Sequence, residues 1–139
     1  MAFLTDDDFN TFIKPEILEK VIGGDVNIRA KAERAAYKEC LKFMNVRFDP
    51  VAELAKIGDD RDDDLIRIMV DITLFHLHKR INPGQVPEVR RDAYAAAIDD
   101  LKMIAAGKLK PTWQEPSGSE TGTKYDVQYG GRSKRNPYY

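Results

Sequence analysis

The stretch from about 63 to 80 constrains this chain more than any other. Leu65, Ile66, Ile68, Met69, Val70, Ile72, Leu74, Phe75 and Leu77 recur so densely that on a helix they cover most of the circumference. A helix apolar nearly all round belongs in the middle of a bundle or an assembly, because no orientation on a surface hides it. One polar stripe interrupts it. Arg67, Asp71 and His78 fall on it, and Arg67 and Asp71 are spaced to pair along the surface. Asn82-Pro83-Gly84 is a strong stop signal.

Such a helix needs amphipathic neighbours, and the rest of the chain supplies them. Pro87 opens a long helix reaching about 106, with Tyr94, Ala97, Ile98, Leu101, Ile104 and Ala105 on one face and mostly charged residues on the other. Small residues at Ala93, Ala95, Ala96 and Ala97 let a neighbour approach closely. Gly107 caps it and Pro111 forbids continuation. Upstream, Asp25 or Asn27 caps a helix whose inward face carries Ala30, Ala36, Tyr37, Cys40, Leu41 and Met44, until Phe48-Asp49-Pro50 breaks it. Arg29, Lys31, Lys38 and Lys42 form its solvated face, and a short helical turn is expected at 51–56.

Nearer the N-terminus, Thr5 before Asp6, Asp7 and Asp8 reads as a helix start, followed by Phe9, Phe12 and Ile13 as an apolar face. Pro15 suits a first helical turn, Ile17, Leu18, Val21 and Ile22 give that helix a buried side, and Gly23-Gly24 ends it. The expected architecture is an all-α bundle of four to five helices, with a helical body over 1–111 and an extended C-terminal arm over 112–139.

The arm changes composition to Ser, Gly, Thr, Pro and Tyr, too poor in aliphatic residues to fold alone. Tyr125, Val127 and Tyr129 alternate with polar residues at the period of a strand. Arg132, Lys134 and Arg135 follow with no acid among them, and Tyr138 and Tyr139 close the chain. An arm that docks on a partner by adding a strand or filling pockets has this pattern, and these eight residues are the expected partner-binding set.

Catalysis is harder to place. Cys40 is the one cysteine, so no internal disulfide is possible, and its apolar neighbours mark it as a small buried hydrophobe. His76 and His78 lie about 200° apart on a helix and cannot share a metal ion. The acidic run at 59–64 lacks the alternating ligands and distal Glu of a calcium loop and reads as a solvated helix cap. No phosphate-binding loop and no nucleophile–His–acid set is visible. No catalytic residue, cofactor or metal is expected. With 32% charged residues, a formal net charge of -1 and no leader-like or membrane-spanning run, the expectation is a soluble protein made in a cytoplasm, with no global field for polyanions.

The segment from Leu65 to Arg80 is an apolar helix with an internal Asp and a basic end. It runs into Val89-Arg-Arg-Asp-Ala-Tyr-Ala-Ala-Ala-Ile-Asp-Asp-Leu-Lys-Met-Ile-Ala-Ala-Gly-Lys-Leu109. With the opening Phe3-Leu-Thr-Asp-Asp-Asp-Phe9, this order resembles the head–tail connector (neck adaptor, head-completion) proteins of tailed phages and Mu-like prophages, over about 3–110. The resemblance implies a structural virion protein of the neck, assembled in the host cytoplasm. Copies would form a homo-oligomeric ring, a dodecamer, between the portal protein and the tail or next neck protein. Genomic DNA would pass through the channel without sequence specificity, and no membrane is involved. The apolar central helix fits that picture if neighbouring copies cover part of it. The alternative is a DNA-binding helical regulator, since the helices flanking Asn82-Pro83-Gly84 suggest a helix-turn-helix; mixed charge at Glu88, Arg90, Arg91 and Asp92 and a long loop argue against it.

Overall fold

A computed structural model describes residues 3–81 and 84–116. Among the described residues the chain is all-helical: α1 (Asp6–Phe12), α2 (Pro15–Ile22), α3 (Val26–Met44), α4 (Pro50–Leu54), a 3-10 turn (Gly58–Asp60), α5 (Asp63–Ile81) and α6 (Glu88–Ala105). That is one more α-helix than the upper end of the expected range, because the short turn before the acidic loop is a helix in its own right. None of the described helices is long and apolar enough to cross a membrane.

Local chemistry sets the boundaries. Thr5 and Asp8 form a reciprocal capping box at α1. Asp25 caps α3 through the Asn27 N–H at 2.9 Å, and Asp49 caps α4 through the Ala52 N–H at 3.1 Å. Gly23 ends α2 in the left-handed region at φ 72°, where a side chain would be strained. Gly107 ends α6 in the same way, and a Cβ there would stand 2.9 Å from the Arg47 guanidinium. Arg47 uses that space to donate from Nε to the Ala105 carbonyl at 2.9 Å, satisfying a free acceptor at the helix end.

α5 is the axis of the fold. α3 and α6 pack along it, and α1 and α2 also rest on it. Arg67 meets Asp100 and Phe75 meets Tyr94, so α5 and α6 run antiparallel. Glu39 meets Tyr94 and Arg47 meets Ala105, so α3 and α6 run parallel. Leu65, Ile68, Met69, Val70, Ile72, Leu74 and Leu77 are all essentially inaccessible. Even Thr73 is buried, its hydroxyl donating back to the Met69 carbonyl at 2.7 Å. The chain therefore covers this helix by itself, and the apolarity of α5 is no argument for a second copy. Two inward assignments fail: Ile17 is 45% exposed, and Ala30 faces solvent. On α3 the buried line runs through Ala32, Ala36, Cys40 and Met44, one i+4 row.

Arg61 ties the N-terminus to this axis. It donates to the Phe3 carbonyl at 2.6 Å and pairs with Asp8. Burial raises the Asp8 carboxyl, but hydrogen bonds from Arg61 and Thr5 and the Arg61 charge outweigh it, holding the group below the ordinary carboxylate value. Its folded pKa thus lies below its unfolded one. The stabilisation is complete above the unfolded value and disappears as pH falls through the native one. An Asp8→Asn variant is expected to lose less stability than the parent between about pH 5 and about pH 2. Parallel losses in urea titrations of the two proteins would show that Asp8 carries none of the acid sensitivity.

Candidate functional site

The eight arm residues expected to bind a partner, Tyr125, Val127, Tyr129, Arg132, Lys134, Arg135, Tyr138 and Tyr139, lie outside the described residues. What the structure does define is the stretch that precedes them, up to residue 116.

After α6, Gly107 and Lys108 turn the chain back, their N–H groups bonded to Ile104 and Met103 carbonyls at 3.0 and 2.8 Å. The chain then crosses to α4 as a strap. The Trp113 ring is only 4% exposed and meets Phe48 edge-to-face at 5.4 Å. The next residue is pinned from both sides of its backbone. The Asp49 N–H donates to the Gln114 carbonyl at 2.8 Å, and the Gln114 N–H donates to Glu53 Oε1 at 2.7 Å. Glu53 is 1% exposed, and Lys56 neutralises it with Nζ 3.0 Å from the same oxygen. A buried carboxylate that accepts a backbone N–H and a lysine is a satisfied anchor, not a spare acid.

This anchor moves a boundary. The composition shift places the arm at 112, whereas residues 113 and 114 belong to the packed body. A single Trp among Thr, Gln, Glu and Pro has no periodicity to reveal it; the one available signal was that an aromatic of that size is rarely left in solvent. Its indole N–H is buried with no acceptor among the described residues. Beside the strap, Asp64, Arg67, Ile68, Asp100, Ile104, Leu109, Lys110, Pro111 and Trp113 line an open groove of about 250 Å³.

Other titratable clusters link one helix to another. Glu39 receives the Tyr94 hydroxyl at 3.0 Å and lies 3.0 Å from His76 Nε2. Burial and this carboxylate push the Tyr94 hydroxyl up to about 12. His78 turns the other way, with Nδ1 2.8 Å from the Leu74 carbonyl, so the two histidines are separate, as their spacing requires. Asp71 is buried beside Arg67 instead of lying on a surface stripe. Burial raises its carboxyl, against the pull of Arg67 and Arg90, and Arg67 also reaches Asp100 at 2.8 Å. Burial, with a further push from Glu39, takes the Cys40 thiol to about 12, which leaves it protonated and unreactive at neutral pH. Among the described residues no group of three or more His, Cys, Asp or Glu is placed to hold a metal ion.

These arrangements join helices to one another and hold residues 113 and 114 against the body. No protein-family model, curated protein or solved structure matched this chain.

Proposed function

We propose that this protein is a structural subunit of a tailed-phage neck. In this reading it is a head–tail connector that forms a ring between the portal and the tail or next neck protein, continues the DNA channel and has no catalytic role. The order of motifs over 3–110 carries the reading. The apolar helix with its internal Asp and basic end is α5, paired antiparallel with α6, and the Ile-Ala-Ala-Gly-Lys-Leu ending closes α6 and forms the turn after it. The strap supplies a physical role for the chain end. The backbone held at Gln114 by Asp49 and Glu53 fixes where the segment that follows is joined to the body.

Residues 117–139 are the part to remove. A chain ending at Pro116 keeps Trp113 and Gln114 in place and is expected to stay folded while failing to join portal rings, as seen by electron microscopy of the mixture with a portal assembly. Normal incorporation of the shortened chain would exclude the arm as the anchor, and absence of any ring with the full chain would exclude the connector reading.

The alternative, a sequence-specific regulator, needs a recognition helix set across its partner helix. α6 instead lies antiparallel along α5, and its start exposes Glu88, Val89, Arg91 and Asp92, of mixed charge. This geometry does not favour that reading.

A further inference from the structure

The solvent face of α3 carries Lys31, Arg34, Lys38 and Lys42, all exposed and without an ion pair or hydrogen bond among the described residues. At 3.6 residues per turn they fall within about 80° around the axis and run about 16 Å along it. They lie opposite the buried line of the same helix. Both acids of α3 are turned away and occupied: Glu33 by Arg29 at 2.8 Å, Glu39 by His76 and Tyr94. Between Lys31 and Lys42 the other exposed residue of the helix is Ala35, while Tyr37 and Leu41 are half-buried against the core. The result is an acid-free cationic rail on a chain of net charge -1.

We propose that this rail binds the phosphate backbone of duplex DNA without reading its sequence. Four flexible cations along about 16 Å can each reach a phosphate of a duplex, and no unpaired acid of α3 competes for them. A protein partner fits less well. Between Lys31 and Lys42 the stripe exposes no large aromatic or aliphatic side chain, and lysine is depleted in the cores of protein interfaces. A lipid surface would want an apolar face beside the cations, and the apolar face of α3 is buried. The proposal gives residues to the DNA-facing side of the connector reading but does not depend on it: a chain that joins no portal can still bind duplex, and a ring can form without this rail.

The test is fluorescence anisotropy of the full chain with a labelled 20-base-pair duplex of mixed sequence. Four phosphate contacts predict a log–log salt slope of about -3.6, hence binding about 100-fold weaker at 200 mM than at 50 mM salt. The pair Lys38→Gln and Lys42→Gln is expected to weaken binding at least about tenfold at 50 mM salt and to halve the slope. Lys102→Gln with Lys108→Gln, exposed cations elsewhere, removes the same net charge and leaves the slope unchanged. No binding at 50 mM salt, or equal losses in the two pairs, overturns the proposal. So does salt-sensitive self-association in sedimentation that Lys38→Gln and Lys42→Gln abolish while duplex binding is absent, an outcome that assigns the rail to an acidic surface of a second copy.

Discussion

Trp113→Ala is expected to lower the stability of the body by about 3–5 kcal/mol, the cost of emptying a buried aromatic site. In a domain of this size that is a fall in Tm of roughly 10–20 °C. The ring lies against Phe48 in the core, and its removal also loosens the two backbone hydrogen bonds that hold Gln114 to Asp49 and Glu53. Strap and tryptophan stabilise one another, so the loss cannot exceed the cost of detaching the strap. Glu53→Ala should follow at about 1–3 kcal/mol, since it leaves the Gln114 N–H and the Lys56 ammonium without their acceptor. Glu53→Gln keeps an acceptor for the N–H and should recover most of that. Urea midpoints measured on the four proteins decide the matter. A Trp113→Ala midpoint equal to that of the parent would mean the strap is not part of the folded body.

Leu74→Ala is the second large effect, about 2–5 kcal/mol, against less than about 0.5 kcal/mol for Ile81→Ala on the same helix. Leu74 is fully buried at the middle of α5, whereas Ile81 at its end is 52% exposed. The contrast separates two accounts of why α5 is so apolar. If the monomer covers the helix, the cost at Leu74 is independent of protein concentration, because no association is linked to folding. A Tm that climbs with concentration in the parent, and a large loss at Ile81, would show that a neighbouring copy completes the core.

Much of the fold was legible along the chain. Thr5, Asp25, Pro15 and Gly107 act where their types predict, because caps and left-handed turns are decided within a few residues of sequence. The helix at 63–80 differs from α5 by one residue at its end and that at 87–106 from α6 by one residue at each end, since their apolar spacing is dense and regular. Ile17 and Ala30 went the other way for a plain reason. Each sits on the edge of an apolar arc, and which edge is covered depends on where a neighbouring helix crosses.

The site was less legible. Asp71 is spaced like a surface residue and is buried; Trp113 stands in a segment that reads as a tail and is core; Glu53 looks like one more helix acid and is an anchor. The lysines of α3 were readable as a solvated face, but not that both glutamates of the helix would be drawn off it.

By itself, the order of residues settled that the body is helical, where the 63–80 and 87–106 helices start and stop, and that the 63–80 helix would be central. These depend on hydrogen bonds and periodicities within about one or two turns. Only the tertiary structure decided that one copy suffices to bury α5, that Trp113 and Gln114 belong to the body, and which charges remain unpaired. Those outcomes hang on contacts between segments as far apart as Glu53 and Gln114, or Arg67 and Asp100, and no local pattern encodes the distance between them.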